Sequence, residues 1–224
     1  MKQSHNQSII KVIAVIILFG LPVLVSGQST KDGSMPQYLF SQFGSGTIRM
    51  KNGQAQTQVL NYNTVTEKMV FTKGDKFYDL TNTEVVDTIK IEGFKFVPVG
   101  KSFYQVLWDG KINLYIQQIG SLLPAGKAVG YGGTSQTASA DYISTINLSG
   151  MQWNLKLPPD YIVVLKPVYW IRRGDEWSEF INEKQFLKLF PEKSAILKEH
   201  IKSDKVKFDK PESLVKLIEY LNSL

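Results

Sequence analysis

The chain has no cysteine and only two histidines, His5 and His200, among its 224 residues. Without cysteine it can form no disulfide, no cysteine nucleophile and no zinc site that needs Cys ligands. A Ser-His-Asp triad would have to use His200 as its base. His200 lies among charged residues in an amphipathic segment, so we interpret it as solvated helix surface. The sequence therefore predicts no catalytic residue, no metal site and no cofactor, and it favours a protein that is not an enzyme.

A concentrated charge of one sign is also missing. The formal net charge of +6 results from 26 Lys and Arg against 20 Asp and Glu. These residues are spread along the chain without a block of like charges. Nucleic-acid-binding proteins typically cluster their basic residues on one face. We therefore predict no nucleic-acid partner.

The chain contains one marked apolar run, and it is short. Val12–Val25 has 14 residues, whereas a membrane-spanning helix needs about 20. A basic, polar stretch precedes the run, and the small residues Ser26-Gly27 follow it, which is the order of a signal peptide. We predict that residues 1–27 are removed and that the mature chain begins at Gln28. The protein would then be exported, periplasmic or extracellular and surface-associated, and not integral to the membrane.

The middle of the sequence has the pattern of an antiparallel sheet. Residues 28–37 are polar and indicate a short tether, and we assign residues 28–45 to an N-terminal tether. From Gly46 onward, alternating segments are separated by turn signals such as Asn52-Gly53 and Asp109-Gly110. Strands joined by such tight turns are typical of a meander. We therefore assign residues 46–182 to an antiparallel β body.

Beyond Arg173 the apolar spacing becomes helical. Three short helices are predicted over Glu183–Phe190, Glu192–Lys202 and Glu212–Leu221, and Asp209 with Glu212 has the spacing of a capping box. Helices this short are not stable alone, so their apolar faces should pack on the sheet.

The expected fold class is α+β, mainly β. It is an antiparallel β meander, forming a sandwich or a partly open barrel, with a short C-terminal helical segment packed on it. We expect this segment, residues 183–224, to share the core of the sheet.

Residues 121–140 form the longest predicted loop and contain four glycines. A phosphate-binding loop requires G-x-x-x-x-G-K-[ST] between a strand and a helix. Here Gly126-Lys127 comes too early and no helix follows. We interpret the segment as a glycine-rich connection that can contact a ligand or partner through Tyr131, Gly132 and Gly133.

Aromatic side chains cluster in the middle and late β region. They are Trp108, Tyr115, Tyr131, Tyr142, Trp153, Tyr161, Tyr169, Trp170 and Trp177. Core packing is the commoner use of such rings, and a ligand-binding face is the alternative. Tyr169 and Trp170 are adjacent, so in a strand they point to opposite faces. Trp153 and Trp170 are the candidate ligand-binding rings.

Several segments are similar to a known group of proteins. Leu60-Asn61-Tyr62-Asn63 followed by Glu67–Phe71, the central Gly130–Gly133 and the C-terminal Phe186–Lys193 resemble uncharacterised exported proteins of the Bacteroidota with an antiparallel β body and a helical C-terminal tail. The resemblance implies a periplasmic or surface-facing β protein. It carries over no catalytic residue.

Three functions from different classes remain open at this point. The first is a non-catalytic exported cell-envelope protein that binds a partner or ligand, such as an envelope protein, glycan or lipid, through its β face and glycine-rich loop. The second is a carrier of a lipid or another hydrophobic ligand in an open β half-barrel, which predicts a large apolar cavity. The third is a hydrolase that uses carboxylates alone, which predicts two buried acids facing each other.

Overall fold

A computed structural model describes residues 35–124, 127–129, 133–135 and 161–224 of the chain; the side chains of 127–129 and 133–135 are not included in that description. Its principal feature is a ten-stranded antiparallel sheet with three short helices after the last strand. The predicted fold class, α+β and mainly β with a C-terminal helical segment, is confirmed. None of the helices in the described ranges is long and apolar enough to cross a membrane.

Fourteen strands and three α-helices make up the described structure. The strands are β1 Gly44–Met50, β2 Ala55–Asn63, β3 Lys68–Lys73, β4 Lys76–Asp79, β5 Val86–Ile91, β6 Phe94–Val99, β7 Ser102–Trp108, β8 Asn113–Gln117, β9 Gly120–Pro124, β10 Lys127–Val129, β11 Gly133–Ser135, β12 Tyr161–Leu165, β13 Val168–Arg173 and β14 Glu176–Phe180. The helices are α1 Glu183–Lys188, α2 Ser194–Ser203 and α3 Pro211–Ser223.

The ten strands of the large sheet follow the order β14-β13-β8-β7-β6-β5-β1-β2-β3-β4. Two runs of consecutive hairpins, β1 to β4 and β5 to β8, are joined where β1 pairs with β5. Turn residues explain the tight connections. Gly53 and Gly93 have φ angles of 86° and 80°, a backbone conformation that glycine adopts without steric cost. The predicted meander is therefore correct within each run, and two non-consecutive pairings complete the sheet: β1 with β5 at its centre and β8 with β13 towards one edge.

The sheet is open but strongly curled. β3 lies alongside β7, although four strands separate them in the sheet order. The space inside the curl is filled by one hydrophobic cluster, in which Tyr62 stacks on Phe96 with ring centroids 5.7 Å apart. The buried members of this cluster are Ile48, Leu60, Tyr62, Met69, Val86, Ile89, Ile91, Phe96 and Phe103.

The helices form a second core with the other end of the sheet. Its buried residues come from β8, β13, β14 and all three helices: Leu114, Ile116, Tyr169, Ile171, Phe180, Phe186, Phe190, Leu197, Ile201, Leu214, Leu217, Ile218 and Leu221. Asn222 of α3 adds a polar connection. Its Oδ1 accepts from the Ile112 amide at 2.9 Å, and its Nδ2 donates to the Ile112 carbonyl at 3.0 Å. The helical segment packs on the sheet, as expected.

Capping differs from the sequence-based expectation. α3 begins with Pro211 after Lys210, and no side chain caps its N-terminus, so the predicted capping box at Asp209 and Glu212 is wrong. Proline at the first helical position has no amide hydrogen that needs a partner. The reciprocal arrangement occurs at α1. There Asn182 Oδ1 accepts from the Gln185 amide at 2.9 Å, and Gln185 Oε1 accepts from the Ile181 amide at 2.8 Å.

The start of the described chain is not a free tether. Tyr38 is buried and forms a bridge with Asn63 of β2. Asn61 fixes the same segment, because its Nδ2 donates to the carbonyls of Phe40 and Gln42 and its Oδ1 accepts from the Phe40 amide. Residues 28–45 were expected as a tether. From residue 37 the chain runs along β2 instead, because the buried Asn61 side chain supplies hydrogen-bond partners for its backbone.

The segment expected to be a loop, 121–140, contains strands. β9 pairs with β12 and β8 pairs with β13 in one continuous register, from Val168 opposite Gln117 to Leu165 opposite Gly120. The Lys166 amide donates to the Ile119 carbonyl at 2.8 Å across the junction. β10 and β11 form a further short antiparallel pair. The beginning of the glycine-rich segment is a strand because its backbone pairs with β12, which comes about forty residues later in the chain.

Candidate functional site

The candidate ligand-binding residues have different outcomes. Trp170 lies in the middle of β13, and Gly133 opens β11. Tyr131, Gly132 and Trp153 lie outside the described residues. Of the candidate rings, Trp170 is the one that lies in the described part of the chain.

The strand register brings three further rings to the face of the sheet that carries Trp170. Trp170 lies opposite Tyr115, and Tyr115 lies opposite Val106 in β7. Side chains two positions apart share a face, which adds Tyr104 of β7. Trp177 of β14 lies opposite Arg172 and joins the same face. We call Tyr104, Tyr115, Trp170 and Trp177 the aromatic face.

The aromatic face is the opposite side of the sheet from the helices. Tyr169, next to Trp170 in the chain, points to the helices and is only 3% exposed. Trp170 and Trp177 are half-buried, whereas Tyr104 and Tyr115 are buried. The prediction that Tyr169 and Trp170 serve opposite faces is confirmed.

The four rings contact one another. Tyr104 stacks on Trp170 with centroids 5.5 Å apart and meets Trp177 edge-on at 5.9 Å. Tyr115 contacts Trp177 at 4.7 Å. Rings this close leave no space for a cation between them. The arrangement therefore differs from an aromatic cage, in which several rings surround a quaternary ammonium group. They form a continuous platform, on which the two tryptophans are the more exposed members.

A chain of hydrogen bonds fixes the orientation of Trp170. Its indole Nε1 donates to Gln117 Oε1 at 2.9 Å, and Gln117 Nε2 donates to the Glu67 carboxylate. Glu67 comes from the turn between β2 and β3 and has a φ of 56°. An amide whose two ends are both bonded cannot rotate freely, so Trp170 is held in one orientation.

Charged groups surround the platform. Arg172 lies over the Trp177 ring at 5.4 Å from its centroid and contacts Asp175. Burial, followed by the negative charges of Glu67 and Glu179, raises the pKa of the Tyr104 hydroxyl. Glu67 bonds Gln117 beside Trp170, and Glu179 lies opposite Trp170 in β14, so the face has hydrogen-bond acceptors and a guanidinium donor beside its rings.

Sequence reasoning missed three residues of this site: Tyr104, Gln117 and Glu67. Tyr104 could have been found from its position in the Phe103–Trp108 strand, because alternation places it on the face opposite Phe103. Gln117 and Glu67 had no local signal. Their contact joins residues 50 positions apart and exists only because the sheet curls.

The other possible sites are paired carboxylates, a metal site and His200. In residues 35–124 and 161–224 no Asp or Glu is buried, and no group of three His, Asp or Glu could hold a metal ion. His200 is more buried than expected for a solvated position. Its ring stacks on Tyr220 with centroids 3.8 Å apart, and its Nε2 lies 3.7 Å from Asp204.

Comparison of the chain with protein-family models, with curated proteins and with solved structures finds no match.

Proposed function

We propose that the chain is a non-catalytic, exported cell-envelope protein that binds a carbohydrate through its aromatic face. The observation that carries the proposal is the pair of half-buried tryptophans, Trp170 and Trp177, on the side of the sheet that the helices leave uncovered. The apolar faces of sugar rings stack on indoles because both surfaces are flat and poorly hydrated.

The polar groups around the rings fit the same class of ligand. A sugar hydroxyl is both a donor and an acceptor, so it requires partners of both kinds. Glu179 is exposed beside Trp170 in the neighbouring strand and can accept. Arg172 is held beside Trp177 and can donate. Ligand sites commonly combine an apolar platform with a few oriented polar groups.

The glycine-rich segment contributes to the proposal by its place in the chain. It begins within β9, and β9 continues the direction of β8, the strand that carries Tyr115. Tyr131, Gly132, Gly133 and Trp153 are the residues that we propose as further contacts. The resemblance to exported Bacteroidota proteins, together with the leader-like residues 1–27, supports the envelope location.

The two alternatives lack a comparable observation. A lipid carrier needs an apolar cavity, but apolar side chains fill the inside of the curl. A cleft of about 860 Å³ formed by other residues of the sheet is lined by three lysines. A carboxylate hydrolase needs two buried acids, and none of the described Asp or Glu residues is buried.

A binding titration tests the proposal. We expect envelope polysaccharides to quench tryptophan fluorescence, and we expect the variants Trp170→Ala and Trp177→Ala to weaken binding by about tenfold each, corresponding to about 1.4 kcal/mol. Trp177→Phe retains a ring and should lose less. Phe94→Ala is the control, because Phe94 is an aromatic residue 40% exposed elsewhere on the sheet. Unchanged affinity in a folded Trp170→Ala/Trp177→Ala variant, or binding of lipid or protein alone, would contradict the proposal.

Export is tested separately. Mass spectrometry of the protein from its native cells should find an N-terminus at Gln28. An intact Met1 would contradict cleavage and leave the carbohydrate proposal untouched.

A further inference from the structure

A cleft of about 860 Å³ is lined by residues of the curled sheet that do not include the four rings of the aromatic face. Its walls come from the turn after β1, the start of β3, the loop between β4 and β5, and the end of β6 with the turn that follows it. Three lysines line it: Lys51, Lys68 and Lys101. The volume lies in the range of about 300–1,000 Å³ that is usual for small-molecule sites.

The loop that forms one wall, residues 80–85, is held by three tertiary hydrogen bonds. The Leu80 amide donates to the Met69 carbonyl at 2.8 Å, and the Lys51 amide donates to the Val85 carbonyl at 2.9 Å. The Thr83 hydroxyl, which is buried, donates to the Gly100 carbonyl at 2.8 Å. The backbone that presents Lys51 and Lys101 is therefore preorganised, which lowers the entropic cost of binding.

The cleft carries unneutralised positive charge. Lys68 is paired with Asp79 at 3.0 Å, whereas Lys51 and Lys101 form an ion pair with no described residue. Glu84 is the carboxylate among the lining residues, and it is exposed and forms no ion pair with a described residue. Lysines at the wall of a concave site concentrate positive potential there, since the low-dielectric protein focuses the field.

Neutral hydrogen-bonding groups accompany these lysines. Thr81 and Asn82 also line the cleft, and the Asn82 side chain does not cap the short 3-10 turn that follows it. Ammonium, hydroxyl and amide groups all donate hydrogen bonds. An oxygen-rich anion would satisfy these donors and neutralise both lysines.

We infer that this cleft is a second binding site, and that its ligand is a small molecule bearing a multivalent oxyanion, such as a phosphate, sulfate or polycarboxylate group. Lysine binds such groups as a mobile point charge. The inference does not depend on the aromatic face, which lies on different strands.

Calorimetric titration of the purified chain with pyrophosphate, sulfate and citrate tests the inference, with glucose as the neutral comparison. We expect saturable binding of at least one oxyanion, which weakens with added salt. The double variant Lys51→Ala/Lys101→Ala should bind about tenfold or more weakly, since hydrogen bonds to charged groups are being lost. The matched control is Lys198→Ala/Lys202→Ala, which removes two exposed lysines of α2 and changes the net charge equally.

A third variant works in the opposite direction. Glu84→Gln removes the unpaired negative charge from the cleft and should strengthen oxyanion binding, a gain that partial unfolding cannot imitate. The relative affinity for pyrophosphate, sulfate and citrate identifies which oxyanion the cleft prefers. Equal losses in the two double-lysine variants, or no binding of any of the three oxyanions at millimolar concentration, would overturn the inference.

Discussion

The indole Nε1 of Trp170 donates a hydrogen bond to Oε1 of Gln117 at 2.9 Å, and the other end of that amide is held by Glu67. The two strands concerned, β8 and β13, are neighbours in the sheet, whereas Glu67 reaches them from the turn between β2 and β3. One glutamine therefore connects the curled part of the sheet to the aromatic face.

Replacing this glutamine should affect both stability and ligand binding. Gln117→Leu keeps most of the side-chain volume but leaves the Trp170 N–H and the Glu67 carboxylate without their partner, which should cost about 1–3 kcal/mol. Urea denaturation measures the loss of stability, and carbohydrate titration the loss of affinity. Gln56→Leu is the control, because Gln56 is exposed on β2. Equal stability of the two variants would show that the hydrogen-bond chain contributes nothing.

Gly120 should not tolerate a side chain. A Cβ there would lie 2.4 Å from Thr64 Oγ1 and 2.9 Å from Val163 Cγ1, while the Gly120 amide donates to the Thr64 carbonyl at 2.9 Å. Gly120→Ala should destabilise the protein by about 1–3 kcal/mol, the usual cost of overpacking.

A double-mutant cycle identifies the cause of that loss. Thr64→Ala removes the nearest of the atoms that the new methyl group would meet, so Gly120→Ala should cost less in the Thr64→Ala background than in the wild type, although the contact with Val163 stays. Thermal or chemical unfolding of the four proteins measures the coupling. Strict additivity would mean that this contact does not limit position 120.

The helical segment should be required for the fold. Leu217 is fully buried in the core shared by the helices and the sheet, so Leu217→Asp should cost several kcal/mol by burying a charge without a partner. Leu224→Asp is the control, because Leu224 is 48% exposed.

Truncation tests the same dependence. Removal of the residues after Asn182 would uncover Leu114, Ile116, Tyr169, Ile171 and Phe180, and the remaining fragment should aggregate. A soluble monomer that unfolds as cooperatively as the whole chain would show that the sheet does not need the helices.

Removal of the hydroxyl group should change the stability of the protein in opposite directions at two buried tyrosines. The Tyr62 hydroxyl is buried without a hydrogen-bond partner among the described residues, so Tyr62→Phe should stabilise the protein by about 1 kcal/mol. The Tyr38 hydroxyl bonds to Asn63, so Tyr38→Phe should destabilise it by a similar amount. Denaturant midpoints of the two variants measure the difference. Destabilisation by both variants would mean that the Tyr62 hydroxyl has a partner in solution.

Stability should fall at alkaline pH. Burial raises the pKa of Tyr38 and Tyr62, and burial with Asp209 and Glu212 raises that of Tyr169 to about 12. A tyrosine whose folded pKa exceeds its unfolded value of about 10 contributes stability that is complete below pH 10. That contribution is lost as the pH rises through the folded pKa. Unfolding free energies measured from pH 9 to pH 11 should decrease, and the decrease should be smaller in Tyr62→Phe.

Much of the local structure could be predicted because its signals are short-range. Asn52-Gly53 and the alternation around it identify the first hairpin, since a tight turn, here the three residues 51–53 between the bonded Met50 and Gln54, determines the pairing of its own strands. The periodicity of Leu214, Leu217, Ile218 and Leu221 identifies the buried side of α3. The opposite orientations of Tyr169 and Trp170 follow from the pleat of a single strand.

The capping box and the tether show where short-range signals fail. Asp209 has the side chain of an N-cap, but the preorganised Pro211 begins the helix without one. Residues 28–37 are polar and indicate a tether, yet the segment that follows them is fixed by Asn61, a β2 residue about twenty positions away, which bonds the backbone of Phe40 and Gln42. At the start of α3 a backbone constraint outweighed the local preference. In the expected tether, hydrogen bonds from a distant strand outweighed it.

The sequence by itself determined most of the strands outside residues 120–135, their tight turns, the three helices and the faces on which their side chains lie, because each depends on residues within a few positions of one another. The tertiary structure decided that β1 pairs with β5, that the sheet curls until Glu67 reaches Gln117, and that Lys51 and Lys101 line one cleft. Those contacts depend on which distant strands become neighbours, and that choice is made by burial of the two cores as a whole, in which no single segment carries enough of the free energy to reveal it.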